Sequence, residues 1–123
     1  MSYKLSWYIP DRVIDMALPA LSNDEAMMQA LDAEMIVMLD TASQPVNILI
    51  DLRTMQEYPS ASVAMKLKYY KHQNTGRLIV IGMTANPMLR FLGGLVGRGV
   101  GIQIKDFGSR EEAIAYLGTV ERA

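Results

Sequence analysis

The stretch LIVIGM, residues 78 to 83, decides the fold. A strand with one wet face alternates apolar and polar residues, whereas this run is apolar throughout. That is the pattern of a central parallel strand covered by helices on both sides. VNILIDL, 46 to 52, carries apolar residues on both faces in the same way and predicts a second buried strand. Further out the periodicity changes. In VGIQIKDF, 100 to 107, Val100, Ile102 and Ile104 lie on one side and Gln103 and Lys105 on the other, so one face of this strand is wet. At the N-terminus Tyr3, Leu5, Trp7 and Ile9 alternate with Lys4, Ser6 and Tyr8. Pro10, Asp11 and Arg12 then turn the chain into VIDMAL, 13 to 18, which predicts an antiparallel hairpin.

Helices are predicted between these strands. Ser22 and Glu25 fit a capping box, in which each side chain satisfies a free backbone N–H of the other residue. Met27, Leu31, Met35 and Met38 follow at helical spacing, forming one apolar stripe of a helix that reaches about Ser43 and ends before Pro45. SASVAMKLKYYKH, 60 to 72, reads as a helix with Val63, Leu67 and Tyr70 inward, stopped at Asn74-Thr75-Gly76. Asn86 and Pro87 are an N-cap and the residue best tolerated at the first helical position. In the helix they open, Met88, Leu89, Phe91, Leu92, Leu95 and Val96 fall within an arc of about 160°, with Arg90, Gly93 and Gly94 outward. VGRGVG, 96 to 101, is expected to break it. Ser109 and Glu112 make a second capping box for a last helix with Ala113, Ile114 and Leu117 inward.

The sum is ββαβαβαβα, an α/β fold with a mostly parallel, mixed five-stranded sheet and about four helices. At 123 residues, half of them apolar, the chain is expected to form a single domain over 1 to 123. The absence of cysteine removes disulfides, thiolate metal sites and cysteine nucleophiles, and suits a cytoplasmic protein. No signal peptide is read in SWYIPDRVIDMALPA, 6 to 20, which Pro10, Asp11, Arg12 and Asp15 interrupt. The longest apolar runs fall far short of the roughly 20 residues of a membrane span, so the chain is expected not to be transmembrane. Residues 1 to 60 carry three Lys or Arg against nine Asp or Glu, and 61 to 123 carry nine against four, which suggests an oriented electrostatic surface.

The candidate chemistry centres on EYPSASVAM, 57 to 65. Ser60 and Ser62 stand at a loop-to-helix junction, where a hydroxyl caps free backbone N–H groups; they are also the candidate phosphorylation sites, since a helix N-terminus favours added negative charge. A serine hydrolase is not supported. His72 is the only histidine, and ten helical residues would separate it from Ser62 by about 15 Å. It is expected at the surface near a helix C-terminus, where positive charge is favoured. The glycines of GRGVGI, 97 to 102, precede a strand rather than a helix, which is the wrong order for a phosphate-binding loop. Asp51, Glu57 and Asp106 sit near strand ends without histidines, so no metal and no cofactor is expected. Lys66, Lys68, Lys71 and Arg77 with Tyr69 and Tyr70 mix bases and aromatics, but a net charge of -1 argues against nucleic acid and for a solvated or protein-contacting helix face.

A family resemblance becomes arguable on these residues. VNILIDL followed by a loop into a serine-bearing helix, LIVIGM followed by TANPMLRFL, and the ending IKDFGSREEAIAYL together resemble the STAS domain, the SpoIIAA-like anti-sigma-factor antagonist fold. The ending is most similar to the bacterial SpoIIAA-like or STAS/SEC14 branch. In signalling members the loop before the second helix carries a motif like Asp-Ser-Ser-Gly-Leu, whose second serine is phosphorylated. Pro59, Ser60, Ala61, Ser62 and Val63 align with those positions, so the phosphoacceptor falls on Ala61, which has no hydroxyl. A one-residue slip would put Ser60 or Ser62 there.

The resemblance implies a non-enzymatic regulatory or protein-interaction domain, with an anti-sigma-factor or kinase-like regulator as partner. The expected surface comprises Glu57, Tyr58, Ser60, Ala61, Ser62, Met65, Lys66 and Tyr69. The SEC14-like side implies an alternative: a carrier or sensor of a lipid-like apolar ligand, held by the Met-rich first helix and by Met88, Phe91 and Leu92. Ten methionines suit adaptable apolar surfaces, and the wide apolar arc of the third helix leaves a homodimer contact open.

Overall fold

The computed structural model describes residues 3 to 121 of the chain. Strands β1 (Lys4–Ile9) and β2 (Val13–Ala17) form the expected antiparallel hairpin. They are followed by α1 (Glu25–Thr41), β3 (Val46–Asp51), α2 (Ala61–Lys66), a 3-10 turn (Tyr69–Lys71), β4 (Thr75–Ile81), α3 (Pro87–Val100), β5 (Ile104–Phe107) and α4 (Arg110–Glu121). The chain is α/β, with a mixed five-stranded sheet and four α-helices, as the periodicities require. Strand order is β1-β2-β3-β4-β5, and every pairing after the hairpin is parallel.

Sequential order has a consequence for layering. Three right-handed crossovers moving in one direction across a sheet place all their helices on the same face. Accordingly α1, α2 and α3 cover Ile14, Met16, Ile48, Ile50, Leu78 and Val80, while α4 alone covers Val13, Leu49, Ile79 and Ile81 with Ala113 and Leu117. Arg110, the first residue of α4, reaches across to Asp15 of β2 at 2.6 Å. Among the described residues no helix is long and apolar enough to cross a membrane.

Several boundaries differ from the sequence expectation for identifiable reasons. Asp24, not Ser22, caps α1, its Oδ1 accepting from the N–H groups of Ala26 and Met27. Ser22 is buried and donates to the carbonyl of Pro19 at 2.8 Å. The stripe rotates with it: Met28, Leu31, Met35 and Leu39 are buried, and Met27 and Met38 lie at its margin. VGRGVG does not break α3, which continues to Val100 and ends at Gly101 in the left-handed conformation (φ 76°). Val100 therefore belongs to the helix, and β5 is only four residues long. Thr75 and Gly76 open β4 rather than closing a helix; a Cβ at Gly76 would stand 2.8 Å from Asn47 Oδ1.

Candidate functional site

The loop that follows β3 begins with Arg53 folded back on Asp51, Nε to Oδ1 at 3.0 Å and Nη2 to Oδ2 at 2.8 Å. This hydrogen-bonded pairing holds the Asp51 carboxyl below its ordinary value of 3.8, against the opposing effect of burial. The loop then runs beside the β2–α1 connection: the N–H groups of Gln56 and Glu57 both donate to Ala20 O at 2.8 Å, and Ser22 N donates to Glu57 O at 3.0 Å. Tyr58 ties it to α3, its hydroxyl accepting from Asn86 Nδ2 at 2.5 Å. Asn86 also caps α3, accepting from the N–H groups of Met88 and Leu89. A single asparagine thus fixes the loop against the start of the next helix but one.

Ser60 is the N-cap of α2, its Oγ accepting from Val63 N at 3.1 Å. Ala61 opens the helix, and Ser62 is exposed. The helix is half its expected length. Lys66 is its last residue, Leu67 is extended, and Tyr69–Lys71 re-form a turn. The cause is Asp32 of α1, which is 8% exposed and accepts from Lys68 N at 3.0 and 2.9 Å and from Tyr69 N at 3.0 Å. A carboxylate satisfying those donors requires that they not be inside a helix.

The break takes Tyr69 off the surface, and a second expected partner residue, Met65 within α2, is turned toward α3. Tyr69 is buried, 3% exposed, its ring 4.4 Å from that of Tyr70, which packs against the core as expected, so the turn adds Tyr69 to the core without releasing Tyr70. Met65 is half-buried and directed at α3, where a Cβ on Gly99 would collide with its methyl group. Glu57, Ser62 and Lys66 remain exposed, with Tyr58 and Ala61 half-buried beside them.

The expected apolar-ligand residues separate as well. Leu92 is buried with Leu89 and Val96, but Met88 and Phe91 are 48% and 56% exposed, because the sheet covers a narrower arc of α3 than the apolar residues span. Gly93 faces inward, not outward: a Cβ there would overlap the Met83 sulfur. The structure ties the start of α3 to the loop through Asn86 and Tyr58, exposes Met88 and Phe91 on that helix, and leaves Leu92 inside.

Charge around this surface is segregated. Residues 58 to 105 contain Lys66, Lys68, Lys71, Arg77, Arg90, Arg98 and Lys105 and no Asp or Glu. Residues 13 to 52 contain Asp15, Asp24, Glu25, Asp32, Glu34, Asp40 and Asp51 and no Lys or Arg. Counting by halves blurs this contrast; counting by element reveals it.

Other candidates resolve as structural. His72 is not at the surface: its side chain is 11% exposed, with Nε2 2.7 Å from Asp40 Oδ1 and Nδ1 accepting Asn74 N–H at 3.0 Å. Both ring nitrogens are engaged, so neither serves a serine. Asp106 accepts from the N–H groups of Met83 and Thr84 at 2.9 and 2.8 Å and from the Thr84 hydroxyl. Among the described residues no group of three or more His, Cys, Asp and Glu could hold a metal. Comparison with protein-family models, with curated proteins and with solved structures found no match to this chain.

Proposed function

We propose that the chain is a docking module for another protein, a non-enzymatic regulatory domain of the kind the STAS resemblance implies. Its contact surface is the loop and first turn at Glu57, Ser62 and Lys66 together with Met88 and Phe91 of α3. The observation that supports this most directly is the exposure of those two large apolar side chains beside a loop held in place by the Tyr58–Asn86 hydrogen bond. A surface with an apolar centre and a basic surround suits a partner offering apolar groups ringed by carboxylates. The reading includes no phosphorylation switch at the aligned position, since Ala61 has no hydroxyl and Ser60 uses its own on Val63.

Affinity capture from lysate of the source cells tests it. Phe91→Asp should lose a partner that the wild type retains, whereas Val37→Asp, at a 63% exposed position on α1, should keep it. Exposed substitutions of this type change stability by only about 0.5 kcal/mol, so loss of capture would not reflect unfolding. Retention by Phe91→Asp, or equal loss in Val37→Asp, would remove this surface from consideration. Mass identification of the captured chain separates an anti-sigma or kinase-like regulator from a second copy of this protein.

A further inference from the structure

The core between the sheet and its three-helix cover is not filled. A cavity of about 90 Å³ remains there, bordered by Ala64 of α2, Leu92 of α3 and Ile50, Leu78 and Val80 of the sheet. No charged side chain lines it, and its polar neighbours are the phenols of Tyr69 and Tyr70. Burial pushes Tyr70 up to about 12, so the wall stays neutral at any physiological pH. Met16, Met28, Met55 and Met83 converge on the space from β2, α1, the β3–α2 loop and the β4–α3 loop.

A space lined in this way holds water weakly, because two phenols are the only polar side chains on its wall. Leaving it empty costs stability in proportion to its volume. An apolar guest removes that cost without stripping water from any polar group. Size limits the guest: apolar cavities of roughly 150 Å³ accept benzene or xenon, and this one is smaller. It is too small for a lipid tail. Methionine, unbranched and with three rotatable bonds, is the wall material that can yield to admit a compact molecule.

Access is also legible. Leu52, Pro59, Met83 and Gly93 are only half-buried, so the space approaches solvent on their side. Gly93 gives α3 a notch in which the Met83 thioether rests. The Met83 backbone is held by Asp106, so its side chain alone has to swing aside.

We propose that this cavity is a binding site for a compact, uncharged apolar molecule no larger than a single aromatic ring, entered past the side chain of Met83. The site opens toward solvent on the Met83 side and is distinct from the docking surface; of the Met88, Phe91 and Leu92 that the sequence suggested for an apolar ligand, it includes Leu92 alone.

Benzene titrated into the full chain carrying carbon-13 methionine methyls tests the proposal. The methyls of Met16, Met28, Met55 and Met83 should shift saturably, and that of exposed Met88 should not. Ala64→Leu, which fills the space, should weaken the benzene response at least tenfold while Phe91→Asp leaves it unchanged. Should Ala64→Leu fail to fold, Leu92→Ala enlarges the same cavity and should bind benzene several-fold more tightly. A titration without saturation, a Met88 shift equal to the others, or wild-type binding in a folded Ala64→Leu or Leu92→Ala protein overturns the site.

Discussion

Asp32 shows how much one buried carboxylate decides. It ends α2 and holds the backbone of Lys68 and Tyr69 in the turn that takes Tyr69 into the core beside Tyr70. Removing it leaves two N–H groups without an acceptor, at a cost of about 1 to 3 kcal/mol. Asp32→Ala should therefore lower the unfolding free energy by about 2 to 3 kcal/mol in urea titrations and speed amide exchange at Lys68 and Tyr69; a change below about 0.5 kcal/mol would mean that the clasp does not hold the turn. Asp51 gives a pH-dependent counterpart. Its folded pKa is depressed, chiefly by the Arg53 hydrogen bond, so its stabilising contribution is present above the ordinary value of 3.8 and is lost as pH falls through the folded value. In Arg53→Ala the carboxyl of Asp51 should titrate closer to the ordinary value, and the share of the acid-induced loss of stability that this group contributes should shrink. Carbon-13 titration of that carboxyl reads the shift; an unchanged midpoint would show that Arg53 is not its cause.

At the scale of elements, α3 separates what local sequence can say from what it cannot. Its start was legible, since Asn86-Pro87 carries the signal in adjacent residues. Its end was not, because Gly97 and Gly99 have low helix propensity and only contacts from distant elements explain their place: Gly97 lies near Ile104, and Gly99 leaves room for Met65. The same distinction governs the rest. The strands were readable from their own periodicities, whereas the break in α2 depends on Asp32, 36 residues away. The loop of the proposed docking site was readable as a serine-capped junction, but the exposure of Met88 and Phe91 depends on how much of α3 the sheet covers. The cavity was hidden because its four methionines come from separate segments. Two glycine substitutions test the corrected end of α3. Gly97→Ala meets only ordinary contacts at 3.6 Å and should stabilise the protein by about 0.5 to 1 kcal/mol. Gly101→Ala meets nothing, yet its φ of 76° should cost about 1 kcal/mol. Thermal melts giving the same sign for both would contradict a helix that runs through Gly97 and stops at Gly101.

Across the whole molecule, strand order and charge order act together. Because β1 to β5 are laid down in sequence, α1, α2 and α3 lie on the same face, and the acidic residues of α1 and the basic residues of α2 and α3 become neighbouring zones of it. Exposed Lys66 and Lys68 then stand at the end of α2 and Arg90 and Arg98 on α3 with the apolar pair, while Lys105 stands on the opposite side of the sheet over the ring of Tyr116. A field arranged in this way acts mainly on encounter: it accelerates association with an acidic partner and is screened once the Debye length, about 10 Å at 0.1 M salt, shrinks. Capture of the partner should accordingly depend on salt through its association rate. Raising salt from roughly 0.05 to 0.5 M should slow association about tenfold and leave dissociation, governed by Met88 and Phe91, nearly unchanged. Lys66→Glu with Lys68→Glu should slow it comparably at low salt, and Lys105→Glu, on the far side, should change it by less than about twofold. Surface plasmon resonance on the captured pair separates the two rates. A salt-independent association rate, or equal sensitivity to Lys105→Glu, would show that the basic zone takes no part in recognition and would leave the apolar pair as the whole of the contact.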